Sequence, residues 1–156
     1  AVLEGNAAQD IVAPYFERLT AIFESHMSPA QKLSLIQLEL ITVMPNLQDS
    51  LKSSPETYNQ FRDSIALVLR GISVAAHNDE LDFTTAKSAI NAAQKWAVSA
   101  EIKTRISNDI NQIYASHRQH SNLHAAAKSG GGCLLLILAP FLIGVPLVLR
   151  TLGEIW

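Results

Sequence analysis

Cysteine is almost absent from this chain: Cys133 is the only one among 156 residues. No internal disulfide can form, and the composition is consistent with a reducing compartment. There is no basic stripe and no pattern of aromatics among basic residues. Twelve Lys and Arg are scattered against 14 Asp and Glu, for a formal net charge of −2, which argues against nucleic acid as a partner. The opening residues AVLEGNAAQD lack the basic-then-apolar order of a signal peptide. They also lack an initiator Met, as a fragment or processed form would. No stretch alternates in the manner of a strand, and no internal repeat is present.

Enzyme motifs are missing as well. Gly130–Gly132 neither follow a strand nor precede the Lys-Ser/Thr of a phosphate loop. Cys133 stands in an apolar context, the wrong setting for a nucleophilic thiolate. Asp79, Glu80 and Asp82 offer too few ligands for a calcium loop and lack its glycine; acidic residues there suit the start of a helix. The chain therefore reads as non-catalytic, with no cofactor and no metal expected.

One further absence is the most informative. From Cys133 to Leu149, CLLLILAPFLIGVPLVL, 17 consecutive positions carry no charge. As a helix such a run covers ~25 Å, just short of a ~30 Å hydrocarbon core. Its twelve Leu, Ile, Val and Phe residues sum to about −4 to −7 kcal/mol on insertion scales. Pro140 and Pro146 each oppose that by up to ~3 kcal/mol in an ordinary helix, though membrane helices tolerate proline better. The segment is thus expected to span or re-enter a bilayer, with Leu134, Leu138, Phe141, Leu142 and Leu147 facing lipid. Trp156 suits the headgroup zone, and Cys133 at the boundary is a lipidation candidate. Arg118 and Lys128 before the run, against Arg150 after it, place the N-terminal domain in the cytosol.

What precedes the run reads as helix almost throughout. Val12, Tyr15, Leu19, Ile22 and His26 make one face, and Pro14 fits the first turn of a helix beginning near Ala13. Ser28-Pro29-Ala30-Gln31 is a capping box. Leu33, Ile36, Leu40 and Val43 follow as a stripe, which Pro45 is expected to end. After a connector bearing Leu47 and Leu51, Ser54-Pro55-Glu56 starts a helix with a stripe from Tyr58 through Phe61, Ile65, Val68 and Ile72 to Ala75. Asn78 is a stop and Asp82 a cap for a helix with Phe83, Ala86, Ile90, Ala93 and Ala97. Ile102, Ile106, Ile110 and Ile113 lie about 200° out of phase with that stripe, so a break at Ser99 is expected.

The expected fold is all-α: an antiparallel bundle of about five helices over residues 1–127. A Ser/Gly linker at 128–132, the candidate transmembrane segment at 133–149 and a short polar tail at 150–156 follow. Two side-chain groups raise chemical questions. His117, His120 and His124 share one helical face; they read as a solvated face or, alternatively, as a pH sensor. Free imidazoles titrate near pH 6.5, so mild acid would add up to three charges just before the apolar run. Tyr58-Asn59-Gln60-Phe61 matches a sorting-signal pattern but supplies two core-stripe residues, and Ser54-Pro55 is a helix start before it is a phosphorylation site.

The outline of a bundle plus an apolar tail is shared by helical apoptosis regulators and by membrane-inserted bacterial effectors. The Asn-Trp-Gly-Arg segment of the former is missing, since Trp96 is flanked by Lys95 and Ala97. The leading expectation is a membrane-anchored interaction or scaffold domain, with lipid bound through 133–149 and a protein partner through the bundle. One alternative is a membrane-active protein whose tail is stored in the soluble fold and released by acid. Another is a soluble helical enzyme or ligand binder with the tail as core. An apolar patch left exposed on the finished bundle would favour the first.

Overall fold

The computed structural model describes residues 2–79 and 81–129, with side chains over 7–79 and 81–125. They form five α-helices: α1 Val2–Glu24, α2 Pro29–Ser50, α3 Pro55–Asn78, α4 Phe83–Trp96 and α5 Ala100–Ser129. Among the described residues there is no strand. The expected segments at 133–149 and 150–156 lie outside them, and α5 continues through Lys128 and Ser129, which the sequence placed in the linker.

Several starts follow local chemistry. Ser28 caps α2: its hydroxyl accepts from Gln31 N–H at 3.4 Å, while Ser28 N–H donates to Gln31 Oε1 at 3.1 Å, so two orphan donors are satisfied at once. Asp82 caps α4 by accepting from Thr84 N–H at 3.1 Å and Thr85 N–H at 3.0 Å. Ser54 precedes Pro55 of α3, but its side chain makes no capping bond; the proline alone preforms that first turn.

Both prolines expected at helix boundaries lie inside helices instead. α1 begins at Val2, eleven residues before the expected Ala13, and passes through Pro14; α2 passes through Pro45 to Ser50. Each ring faces solvent, where water can take the carbonyl that the missing N–H leaves free. Past Pro45, continued helix sends Leu47 inward to 1% exposure. Burying such a leucine contributes ~2 kcal/mol, and the burial of Leu51 just beyond the helix adds to it. Together these offset the ~3 kcal/mol cost of an interior proline. At the other end of α1 the helix stops at Glu24, where Ser25 Oγ donates to Ile22 O at 2.6 Å. His26, which extends the stripe in sequence, is left exposed in the connector.

Helix directions follow from side-chain contacts. Arg18 of α1 pairs with Glu39 of α2, and Lys32 Nζ donates to Phe23 O at 2.7 Å, so α1 and α2 are antiparallel. Ser73 Oγ donates to Ala86 O at 2.7 Å and Arg62 Nη2 to Lys95 O at 3.2 Å, which makes α3 and α4 antiparallel. Phe83 and Lys87 near the start of α4 touch His117 well along α5, so that pair is antiparallel too. The core fills the space between with Ile36, Ile65, Leu69, Ile72, Ile90 and Ile106, all at most 1% exposed. Ala86, Ala89 and Ala93 are fully buried on α4, and their small side chains let α3 come close.

The phase shift at Ser99 is a real break. α4 ends at Trp96, and Asp63 of α3 reaches across to accept from Val98 N–H at 2.6 Å and Ser99 N–H at 3.2 Å. Ser99 Oγ then accepts from Ile102 N–H at 3.4 Å as α5 starts. Arg70 of α3 and Asp109 of α5 close the same side with a two-pronged ion pair.

Candidate interaction surface and histidine cluster

α2 has two apolar faces. Its inner stripe of Leu33, Ile36, Leu40, Val43 and Leu47 is buried. On the outer side Leu35 is 39%, Leu38 63% and Ile41 75% exposed. Between Ser34 and Gln48 the only charged side chain is Glu39. It is turned toward α1, where Arg18 Nε stands 3.2 Å from its Oε1 without hydrogen-bond geometry. The outer face is therefore an uncharged strip. Monomeric proteins usually break such strips with charge, and contiguous exposed apolar surface marks interaction sites.

Beside this strip lies an open hollow of about 390 Å³ between α2 and α4, bordered by Ile41, Met44, Ala92 and Trp96. A second, of about 460 Å³, lies at the N-terminal end of α2 against Met27, Ala30 and Leu35. Trp96 is half-buried at the first hollow's edge, with the Arg62 guanidinium 6.0 Å from its ring and 6.0 Å from that of Tyr58. Tyr58 is half-buried and Phe61 buried, so the tetrapeptide they bound serves the core.

The histidines converge around Phe83, the first residue of α4. Its ring centroid is 5.5 Å from His77 of α3, and 5.0 Å and 5.4 Å from His117 and His120 of α5. His124 extends the row, 4.4 Å from His120. His117 Nδ1 lies 2.7 Å from Lys87 Nζ. An ammonium only donates, so this contact is a hydrogen bond only when the Nδ1 of His117 carries no proton. His77 Nδ1 is 2.8 Å from Asn78 Oδ1. Phe83 separates the imidazoles of α3 from those of α5. Among the described residues no group of three or more His, Cys, Asp or Glu side chains is placed to hold a metal ion, and none of the ion pairs involves a histidine.

Asp82, at the edge of this cluster, has its carboxyl held below the usual carboxylate range, first by the Thr85 hydroxyl and then by backbone N–H groups. Before it, Leu81 adopts φ 52° in the turn from α3 to α4 and is 59% exposed.

Of the residues singled out in sequence, His117 and His120 both pack on Phe83, and the exposed His124 lies against His120. Cys133, Leu134, Leu138, Phe141, Leu142, Leu147 and Trp156 lie outside the described residues. Three participants were not anticipated: His77, Phe83 and Lys87. The outer strip of α2 was missed too, although its signal is present. Residues 33–41, LSLIQLELI, hold more apolar side chains than one buried stripe can use.

No protein-family profile matches the chain, and neither a curated protein nor a solved structure is significantly similar to it. Among the described residues no helix is long and apolar enough to cross a membrane.

Proposed function

We propose that this protein is a non-catalytic helical interaction domain anchored to a membrane: residues 133–149 hold it at the bilayer, and the outer face of α2 receives a protein partner. The domain itself faces the cytosol. The observation that carries this reading is the uncharged strip of Leu35, Leu38 and Ile41, left open after the core stripes are buried. A partner offering an apolar helical face would bury it as helix-in-groove complexes do. Alkaline carbonate extraction of membranes tests the anchor. The full chain should stay in the pellet and a version ending at Lys128 in the supernatant; both in the supernatant would remove the membrane half of the proposal.

A second reading is favoured by the Phe83 cluster. The groups facing the His117 ring are Phe83 and Lys87 of α4, with His120 beside them on α5 and His77 reaching Phe83 from α3. Protonating His117 would turn its contact with Lys87 into a meeting of two donors. Acid would thereby loosen α5 at the end leading to the apolar run. Replacing His117, His120 and His124 with Gln tests this: an unchanged pH response of vesicle binding would sink it.

A further inference from the structure

We propose that, in the membrane-free state, the apolar run of this same chain lies along the outer face of α2, in the trough that α2 forms with α4. The inference rests on reading that face as an interaction surface, and it names the occupant: residues 135–149.

Chain direction brings the segment to the right end. Phe23 near the end of α1 meets both Lys32 of α2 and the backbone of Gly71 in α3. The end of α3 meets the start of α4 through His77 and Phe83, and Phe83 meets His117 and His120. The starts of α2 and α4 and the second half of α5 thus share one pole of the bundle. Past His120, α5 continues for nine residues to Ser129, projecting ~13 Å beyond the start of α4. Gly130-Gly131-Gly132 come next, residues that can reverse the chain freely. A reversal there sends the run back antiparallel to α5, which is the direction of α2.

Reach and length agree. Five extended residues, 130–134, span up to ~17 Å, enough to return along the projection and cross one helix of ~10 Å diameter. The remaining fifteen, 135–149, would cover ~22 Å as a helix; α2 from Ala30 to Met44 rises ~21 Å. Two hollows border α2: one of about 460 Å³ at its N-terminal end by Ala30 and Leu35, and one of about 390 Å³ by Ile41 and Met44 on the side toward α4. Charge also fits. The run carries none, and α2 offers none on this side from Ser34 to Gln48; Lys95 of α4 borders the hollow, where its long stem can line apolar surface while the ammonium stays in water. Fifteen of the seventeen residues that favour a bilayer therefore have an apolar bed in their own chain. A bilayer or a partner helix would compete with it.

Disulfide trapping in the full chain, dilute and without detergent, tests this. On a Cys133→Ser background, Ile41→Cys is combined with Leu147→Cys. The control combines Thr104→Cys, exposed on the far end of α5, with Leu147→Cys. The Ile41 pair should form an intrachain bond at least about fivefold faster than the control, and phosphatidylcholine vesicles should suppress it. Equal rates for the two pairs, or bonds only between chains, would overturn the proposal. Ile41→Glu provides a second readout: it should raise the vesicle-bound fraction of the full chain severalfold, and an unchanged fraction counts against docking. The anchor reading fails separately. Trapping without any vesicle binding leaves docking standing and removes the anchor, whereas vesicle binding without trapping removes docking alone.

Discussion

Leu38 and Ile41 stand one helical turn apart on α2, 63% and 75% exposed, while their neighbour Leu40 is buried at 5%. The same helix thus spends some of its apolar side chains on the core and displays others to solvent. In the chain ending at Lys128, replacing both Leu38 and Ile41 with Ser should change stability by no more than ~0.5 kcal/mol, as exposed sites usually do. Ile36→Ala, which empties a fully buried position, should cost ~2–5 kcal/mol. Urea unfolding separates the two. A large loss in the double Ser variant would mean that the strip is covered and serves the core.

The join between α4 and α5 depends on Asp63, whose carboxylate accepts from both Val98 and Ser99 N–H. Hydrogen bonds to a charged group are worth ~1.5–3 kcal/mol each before partial exposure weakens them. Asp63→Ala should therefore destabilise the bundle by ~2 kcal/mol. Hydrogen exchange should show the added opening first at residues 97–103. An unaffected join would assign its stability to packing alone.

Leu81 adopts a left-handed backbone that costs a branched side chain ~1–2 kcal/mol and glycine almost nothing. Its side chain is largely exposed, so little packing is lost on removing it. Leu81→Gly should raise the unfolding free energy by ~1 kcal/mol. If it lowers stability instead, Leu81 makes a contact that its exposure conceals.

Asp82 links stability to acid. Its carboxyl titrates lower in the folded chain than in the unfolded one, chiefly through Thr85. The stabilisation is present above the unfolded value of ~3.9 and is lost as pH falls through the lower folded value. At pH 7, Asp82→Ala should cost ~1 kcal/mol, the usual worth of a helix cap. That difference from the parent should shrink steadily below about pH 4. A difference independent of pH would mean that the ionised cap contributes nothing.

Local signals made much of the bundle legible. The capping box at Ser28–Gln31, the cap at Asp82 and the phase shift at Ser99 each involve groups within a few residues of one another. Pro14 and Pro45 misled because a proline's cost is local, whereas its compensation is tertiary: Leu47 recovers from the core what Pro45 gives up. The cluster around Phe83 was half visible for the same reason. His117, His120 and His124 share a helix and so a period, but His77 and Lys87 arrive from other helices through the α3–α4 turn. The strip on α2 was visible only as an apolar surplus, since periodicity marks which faces are apolar and packing decides which of them is covered.

The division of labour between a self-sufficient bundle and an apolar run outside its core is tested most directly by thermal unfolding of the chain ending at Lys128. Far-ultraviolet circular dichroism should report full helix content and a single cooperative transition, because the buried cluster among the described residues draws on α1–α5 and the joins between them. A helical but non-cooperative melt, or loss of helix at room temperature, would show that residues 133–149 belong to the core and that the bundle cannot stand without them.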